Sequence, residues 1–322
     1  MTKNRLISIA PMMAYSDRHF RMLMRLLSKH ALLYTEMVTT AELLRNKRSR
    51  ALHYNAEEHP LALQLGGSSP QELAQCARMG EEWGYDEINL NVGCPSDRVN
   101  SGQFGACLMK QPTLVADCIS AMNDAVNIPV TIKTRIGVDD RDDYESLHHF
   151  VQVNAQAGCR VFIIHARKAW LQGLSPKENR TVPPLRYETV YRLKKAFPDL
   201  SVVINGGIKT TVHVKAHLSH VDGLMVGREA YHSPLFIAEL DRVLYPHASS
   251  DEFSVKNVLL QYLPYVAKQL SNGVKLHRIT RHLLGLCHGK PGARQWRRYL
   301  TEETRNHQDE IGVLETAINL LS

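Results

Sequence analysis

Eight short apolar runs, whose starts lie roughly 22 to 42 residues apart, constrain the fold of this chain more than any other feature. They cover residues 6–12, 31–38, 61–66, 87–93, 129–135, 160–167, 201–207 and 223–228. Val161-Phe162-Ile163-Ile164 and Val202-Val203-Ile204 are continuously apolar, the pattern of strands covered on both faces in a parallel sheet. Helical stretches fill the intervals. Ser16 or Asp17 can cap a helix running to His30, with Phe20, Leu23, Met24 and Leu27 on one face. Ser69-Pro70 puts proline in the first turn of another. Eight strand–helix units in about 230 residues specify an α/β fold of the (β/α)8 TIM barrel type. No GxGxxG follows a strand and no GxxxxGK[ST] occurs, so neither a Rossmann site nor a P-loop is indicated.

The alternation stops after Arg228. Residues 230–245 read as the last barrel helix and 246–252 as a turn-rich break. Only helical periodicity follows, over 255–272, 275–287, 292–304 and 309–321. The expected organisation is a catalytic barrel over 1–246 and an all-helical domain over 247–322.

Of the formal charge of +7, most sits in one place. Between Lys275 and Arg305 lie eight basic residues (Lys275, Arg278, Arg281, Lys290, Arg294, Arg297, Arg298, Arg305) against Glu302 and Glu303. So concentrated a patch points to a polyanion. The six cysteines are scattered without a CxxC pair and read as reduced thiols. No run is long enough to span a bilayer, and the polar start lacks a signal peptide's apolar stretch. The expected location is the cytoplasm, with no membrane association.

Active sites of this fold lie at the C-terminal strand ends. Those ends carry Ala10-Pro11-Met12-Met13, Glu36, Gln64, Asn89, Asn91, Cys94, Lys133, Arg135, His165, Arg167, Asn205-Gly206-Gly207 and Gly227-Arg228. Buried Gln, Lys and His call for a ligand to satisfy them. Strands seven and eight of such barrels supply phosphate-binding loops. There, Gly206, Gly207 and Gly227 would let backbone N–H groups approach and Arg228 would add charge. Lys133 fits beside the pyrimidine edge of a flavin, where a cation stabilises the reduced ring, or could pair with Glu36. Gln64 fits the same polar edge.

Cys94, on a Gly93/Pro95-bracketed turn past a strand end, suits a proton donor to carbon. A nucleophilic Cys94 with His165 as base is the rival. Ser101-Gly102 and Gly105 mark its loop as a possible lid. The acids from Asp139 to Asp143, near His148-His149, resemble a metal site but are better explained by a helix dipole, so no metal is expected. Trp83 reads as core; Trp170 and Trp296 are candidates for base stacking.

Several of these segments together resemble the tRNA-dihydrouridine synthases. They are Ala10-Pro11-Met12, Asn89-Leu90-Asn91-Val92-Gly93-Cys94-Pro95, Lys133-Thr134-Arg135-Ile136-Gly137, His165-Ala166-Arg167, Asn205-Gly206-Gly207 and Gly227-Arg228. The stretches from Asn89 to Met109 and from His165 to Arg180 resemble the subgroup acting on D-loop positions 20 and 20a. The resemblance implies a flavoprotein oxidoreductase that binds FMN, takes hydride from NADPH and reduces the uridine C5=C6 bond in tRNA. Hydride would go from FMN to C6, and Cys94 would protonate C5. It further implies that Pro11, Met12, Met13, Gln64, Lys133 and His165 surround the flavin. Asn205, Gly206, Gly207, Gly227 and Arg228 would hold its phosphate end. Asn91, Lys177, Arg180, Arg294 and Arg297 would touch tRNA. No protein partner is implied, and a monomer is expected. Met13-Ala14-Tyr15-Ser16-Asp17 departs from the subgroup's usual acidic-aromatic step.

Other readings of the same residues are a flavin enzyme acting on a free pyrimidine, similar to dihydroorotate dehydrogenase, and a flavin-free lyase or aldolase using Lys133 as a Schiff base. A non-catalytic RNA-binding protein is the third.

Overall fold

The structure, a computed structural model, describes residues 5–46, 49–96, 102–246, 254–308 and 310–321. Eight parallel strands form one sheet: β1 (Ile7–Ile9), β2 (Leu33–Thr39), β3 (Leu61–Gly66), β4 (Glu87–Val92), β5 (Val130–Arg135), β6 (Val161–His165), β7 (Ser201–Asn205) and β8 (Gly223–Val226). The order β1-β8-β7-β6-β5-β4-β3-β2 leaves β1 and β2 at its two ends. These meet at Ser8 and Leu32, where Ile9 N–H donates to Leu32 O (2.9 Å) and Leu32 N–H to Ile7 O (3.1 Å). The ring is thereby closed as a TIM barrel.

The strands match the expected runs except at their C-terminal ends, where several stop earlier. β1 ends at Ile9 because Pro11 has no N–H to give and Met12 N–H turns to Ser16 Oγ (2.8 Å). β6, β7 and β8 release Arg167, Gly206-Gly207 and Gly227-Arg228 from the ladder. These are residues whose backbone or side chain faces the barrel mouth.

The barrel interior has two halves. Leu32, Tyr34, Ala62, Val161, Ile163, Val203 and Met225 pack its apolar half. Gln64, Glu87, Asn89 and Thr131 are buried on the side of β3, β4 and β5. Register pairs Gln64 with Asn89 and Asn89 with Thr131, so these side chains stand on one inward face.

Outside the barrel, α1 (Arg18–Leu27) is capped by Asp17, whose Oδ1 accepts from the N–H groups of His19 (2.9 Å) and Phe20 (3.0 Å). It stops short of His30, and it is buried nearly all round rather than along one face. The reason is α10 (Val255–Ser271), which packs on its outer side: Tyr262 donates to His19 O (2.8 Å), and Tyr265 Oη bonds His19 Nδ1 (2.6 Å). Within α1, Arg21 Nε reaches Glu58 Oε2 at 2.6 Å, both groups buried. Arg25 donates to the carbonyls of Ser28 and Ala31.

The barrel's outer layer continues through α2 (Thr40–Arg45), α3 (Pro70–Glu82), α4 (Pro112–Asn123), α5 (Tyr144–Gln156), α6 (Tyr187–Ala196) and α7 (Thr211–Leu218). The stretch expected as one helix over 230–245 is two, α8 (Arg228–His232) and α9 (Leu235–Leu244), because Pro234 interrupts the bonding ladder.

The C-terminal helical region continues with α11 (Leu276–Thr280), α12 (Ala293–Asn306) and α13 (Gly312–Asn319). The helix expected over 275–287 ends at Thr280. Beyond it the chain lies flush on the barrel, and a Cβ at Gly285 would come within 2.7 Å of the carbonyl oxygens of Tyr231 and His232. Trp296 is 5% exposed and donates to Leu283 O (2.9 Å). It is a core residue, and the expectation that it stacks on a base is corrected. Trp83 stacks on His53 against the core, as expected, and Trp170 lies under Lys168 Nζ at 4.0 Å.

Removing one member of a buried ion pair strands the other. Arg21→Met is expected to lower the unfolding free energy by about 3 kcal/mol, read from the urea midpoint at constant slope.

Candidate active site

A cavity of about 990 Å³ opens at the C-terminal ends of the strands. That is the upper end of the range for small-molecule sites, roomy enough for a flavin and a second ring. Pro11, Met12, Met13, Gln64, Asn91, Cys94, Lys133, His165, Arg180, Asn205, Gly206, Gly207, Gly227 and Arg228 all line it. Lys177, Arg294 and Arg297 do not. Lys177 precedes a short 3-10 turn at Glu178–Arg180, and Arg294 and Arg297 lie on α12; all three are exposed. Asn89, read as a strand end, is instead mid-strand and fully buried below the cavity.

The wall is rich in cations. The carboxylates lining the cavity, among the described residues, are Glu42 and Glu229. Lys133 does not pair with Glu36. Its Nζ points to Asn205 Oδ1 at 3.4 Å, while Glu36 Oε1 accepts from Ala14 N–H at 2.5 Å. Burial pushes the Lys133 ammonium down to about 8, and Arg135 beside it adds repulsion. Burial likewise drives His165 well below its ordinary value, helped by Arg135, Lys133, Arg167 and Arg228, so its ring is neutral. Among the described residues Arg135 donates to backbone carbonyls: Gly93 O (2.9 Å), Lys168 O (2.9 Å) and Asn179 O (2.8 Å). Arg167 donates to the carbonyls of Thr181 and Pro183, and Arg228 to that of Arg180. Arg180 Nε is buried without a hydrogen-bond partner. Carbonyls orient these guanidinium groups without cancelling their charge, so the cavity selects an anion.

Cys94 is held by its turn. Asn91 Oδ1 accepts from the N–H groups of Gly93 (3.1 Å) and Cys94 (3.0 Å), and Cys94 O accepts from Ala106 N–H (2.9 Å). The Cys94 thiol lies 3.5 Å from Ser96 Oγ. No hydrogen bond joins it to His165 among the described residues, so the geometry does not build a Cys–His nucleophile. Lys133, Arg135 and Arg180 line the same cavity as Cys94. The expected lid falls partly outside the described residues, at Ser101; Gly105 opens a 3-10 helix ending at Lys110.

At the opposite wall, Gly206 and Gly207 have φ of 112° and 71°. A Cβ on Gly206 would come within 2.7 Å of the His165 ring, and one on Gly207 within 2.6 Å of Tyr187 Oη. Tyr187 also donates to Gly206 O (2.9 Å), fixing the turn. Tyr187, with Met37, Phe104 and Leu185, lines the cavity without having been singled out in the sequence. Met37 lies within β2, and the other three sit in loops or at a helix start, where no periodicity marks them. Arg135 and Arg167 were visible as strand ends but carried no role.

The acids near residue 140 have other work. Asp143 caps α5 through Ser146 N–H (2.7 Å), Asp139 pairs with Lys110 (2.7 Å), and Asp142 with Lys168 and Arg186. No helix among the described residues is long and apolar enough to cross a membrane.

Comparison with known proteins gives three findings. Residues 8–321 match the family described as dihydrouridine synthase. The chain is 58% identical over 312 residues to the tRNA-dihydrouridine(20/20a) synthase of Synechocystis sp., covering 97% of this chain and 93% of that one. It is 57% identical over 316 residues to the protein of that name from Escherichia coli, covering 98% and 91%. A 2-naphthoyl-CoA reductase solved with 2-naphthoyl-CoA aligns with a TM-score of 0.55 at 12% identity, covering 73% of this chain and 49% of that one, a likeness of fold. With the family match spanning the barrel and the helices after it, this chain belongs to the dihydrouridine synthase family.

Proposed function

We propose that this protein is a tRNA-dihydrouridine synthase that reduces the C5=C6 bond of uridines at D-loop positions 20 and 20a, with FMN as bound cofactor and NADPH as hydride source. The observation that carries the reading is one cavity joining a thiol on a fixed turn, a buried lysine and a glycine-lined cationic wall. The names of its relatives, at more than half identity along nearly the whole chain, support the substrate.

The residues present fit a flavin mononucleotide. Gly206 and Gly207 leave a cradle that a Cβ would fill, and Gly227 with Arg228 stands beside it. A phosphate there would meet Arg228. Pro11, Met12 and Met13 would cover the ring, and Gln64, Lys133 and His165 would meet its polar edge. When bound, FMN supplies the hydride delivered to uracil C6 and is itself re-reduced by NADPH.

The chain's own residues do the rest. Cys94 gives its thiol proton to C5. Asn91 has one N–H left after its internal bonds, enough to hold a uracil carbonyl. The target uridine must leave the tRNA stack to reach this depth. Arg180 at the cavity and Lys177 outside it take adjacent phosphates. Arg294 and Arg297 on α12 grip the backbone farther away. This work needs no second protein chain; the enzyme acts as a monomer in the cytoplasm.

Purified protein should show flavin absorbance. Cys94→Ala should keep that spectrum and tRNA binding while turnover falls at least about a hundredfold; turnover at the parent rate would refute the proton-donor role. Arg294→Ala with Arg297→Ala should raise the KM for tRNA and flatten its salt dependence by about two units of slope. A free-pyrimidine enzyme would show neither change.

FMN affinity should depend on pH through Lys133. Its value near 8 means the empty site holds the ammonium below pH 8 and loses it above. A ring acceptor on the flavin's polar edge would take a hydrogen bond from the ammonium and keep the proton to higher pH. Affinity is therefore level below pH 8 and falls above it, about tenfold weaker at pH 9 than at pH 7. Lys133→Met should bind more weakly and lose the step, checked by flavin fluorescence titration.

A further inference from the structure

The polar half of the barrel interior is one connected chain of hydrogen bonds that ends on the backbone of Cys94. At the floor, Arg5 pairs with Glu87 Oε2. Glu87 Oε1 accepts from Tyr34 (2.7 Å) and from Thr131 (2.5 Å). Asn89 Nδ2 donates to Thr131 Oγ1 (2.8 Å), Gln64 Nε2 to Asn89 Oδ1 (2.8 Å), and Asn91 Nδ2 to Gln64 Oε1 (2.8 Å). Asn91 Oδ1 then accepts from the N–H groups of Gly93 and Cys94.

Every link donates toward Glu87. The direction is imposed from both ends: a backbone N–H can only donate, and a carboxylate can only accept. The orientation of all three carboxamides follows. If Asn91 flipped, an NH2 group would face the Cys94 N–H. If Gln64 or Asn89 flipped, donor would face donor and acceptor would face acceptor. Thr131 and Asn89 are fully buried and Gln64 is 1% exposed, so a mispaired group has little recourse to solvent.

We propose that Thr131 and Asn89, which do not line the cavity, are positioning residues for the reduction. They set the carboxamides of Gln64 and Asn91, and through Asn91 they hold the turn that presents Cys94. The proposal rests on the reading of Cys94 as proton donor and of Gln64 and Asn91 as ligand contacts. Tyr34 supplies the control. It donates to the same oxygen of Glu87 as Thr131 does but stands off the path to Cys94.

The test compares Thr131→Val, Thr131→Ser and Tyr34→Phe in the full chain. Two quantities are read: hydrogen exchange of the Gly93 and Cys94 amides in cofactor-free protein, and the single-turnover rate of tRNA reduction by the reduced holoenzyme. Thr131→Val should speed exchange at both amides and slow the single turnover, each about tenfold, the scale of one lost buried hydrogen bond. Its KM for tRNA should stay within about twofold. Thr131→Ser should restore both parent values. Tyr34→Phe should lower Tm yet leave exchange and rate at parent values. Parent exchange in Thr131→Val, or equal loss of rate in Tyr34→Phe, would overturn the proposal. If Thr131→Val does not fold, Thr131→Ala takes its place with the same expected outcome. Cys94→Ala, run alongside, separates the two readings: parent rate there defeats the proton-donor role, while the exchange data still decide whether Thr131 holds the turn.

Discussion

Positive charge without a buried counter-charge among the described residues governs the top of this barrel. Lys133, Arg135, Arg167, Arg180 and Arg228 face one cavity, and the guanidinium groups of Arg135, Arg167 and Arg228 are held by carbonyl oxygens rather than carboxylates. Desolvating a cation costs free energy, and a carbonyl returns only part of it. The depressed values of Lys133 and Arg135 record the remainder. The protein tolerates this strain because the rest of the molecule is heavily packed. An anion there would offset that cost, which suits the flavin phosphate and the polynucleotide of the proposed function.

The same constraint explains which parts of the fold were legible in the sequence. Strands β6 and β7 are apolar runs whose burial on both faces leaves no alternative, and the number and spacing of all eight runs already specified the barrel. Site residues were legible because a polar group at the end of an apolar strand has no local reason to be there. Gln64, Lys133, His165 and Asn205 stood out on that ground. Glu87, Asn89 and Thr131 are equally buried but were illegible as a network. Their partners lie on four strands, β2 to β5, and on Arg5, and the register of Gln64 with Asn89 and Asn89 with Thr131 shows that they meet. A sequence pattern records the face of a residue, not the identity of its cross-strand neighbour.

The C-terminal region was misread in the opposite sense. Helical periodicity over 275–287 is real, but tertiary contact overrides it after Thr280. Gly285 presses against the backbone of α8, and His282 turns inward to Asp17 at 3.0 Å. Likewise Arg281, counted as part of the basic patch, donates to Ala14 O. That bond fixes the guanidinium against a barrel loop without cancelling its charge, so this part of the patch is oriented by the barrel while the rest is carried on α12.

These contacts give the unusual Met13-Ala14-Tyr15 step a physical role. Ala14 sits at φ 64°, a conformation that costs a non-glycine residue about 1 kcal/mol. Glu36 captures its N–H, Arg281 its carbonyl, and Tyr15 packs edge-on against Tyr231 at 4.4 Å. Asp17 caps α1 and holds His282 in the same few residues. The loop that lines the cavity is therefore the loop to which the C-terminal region is fastened. On the proposed reading, a tRNA gripped by α12 and a uridine reaching Cys94 would be measured from one anchor. An acidic-aromatic step in this position would still find Arg281 at hand, so the departure changes how the anchor is made and leaves the anchor itself in place.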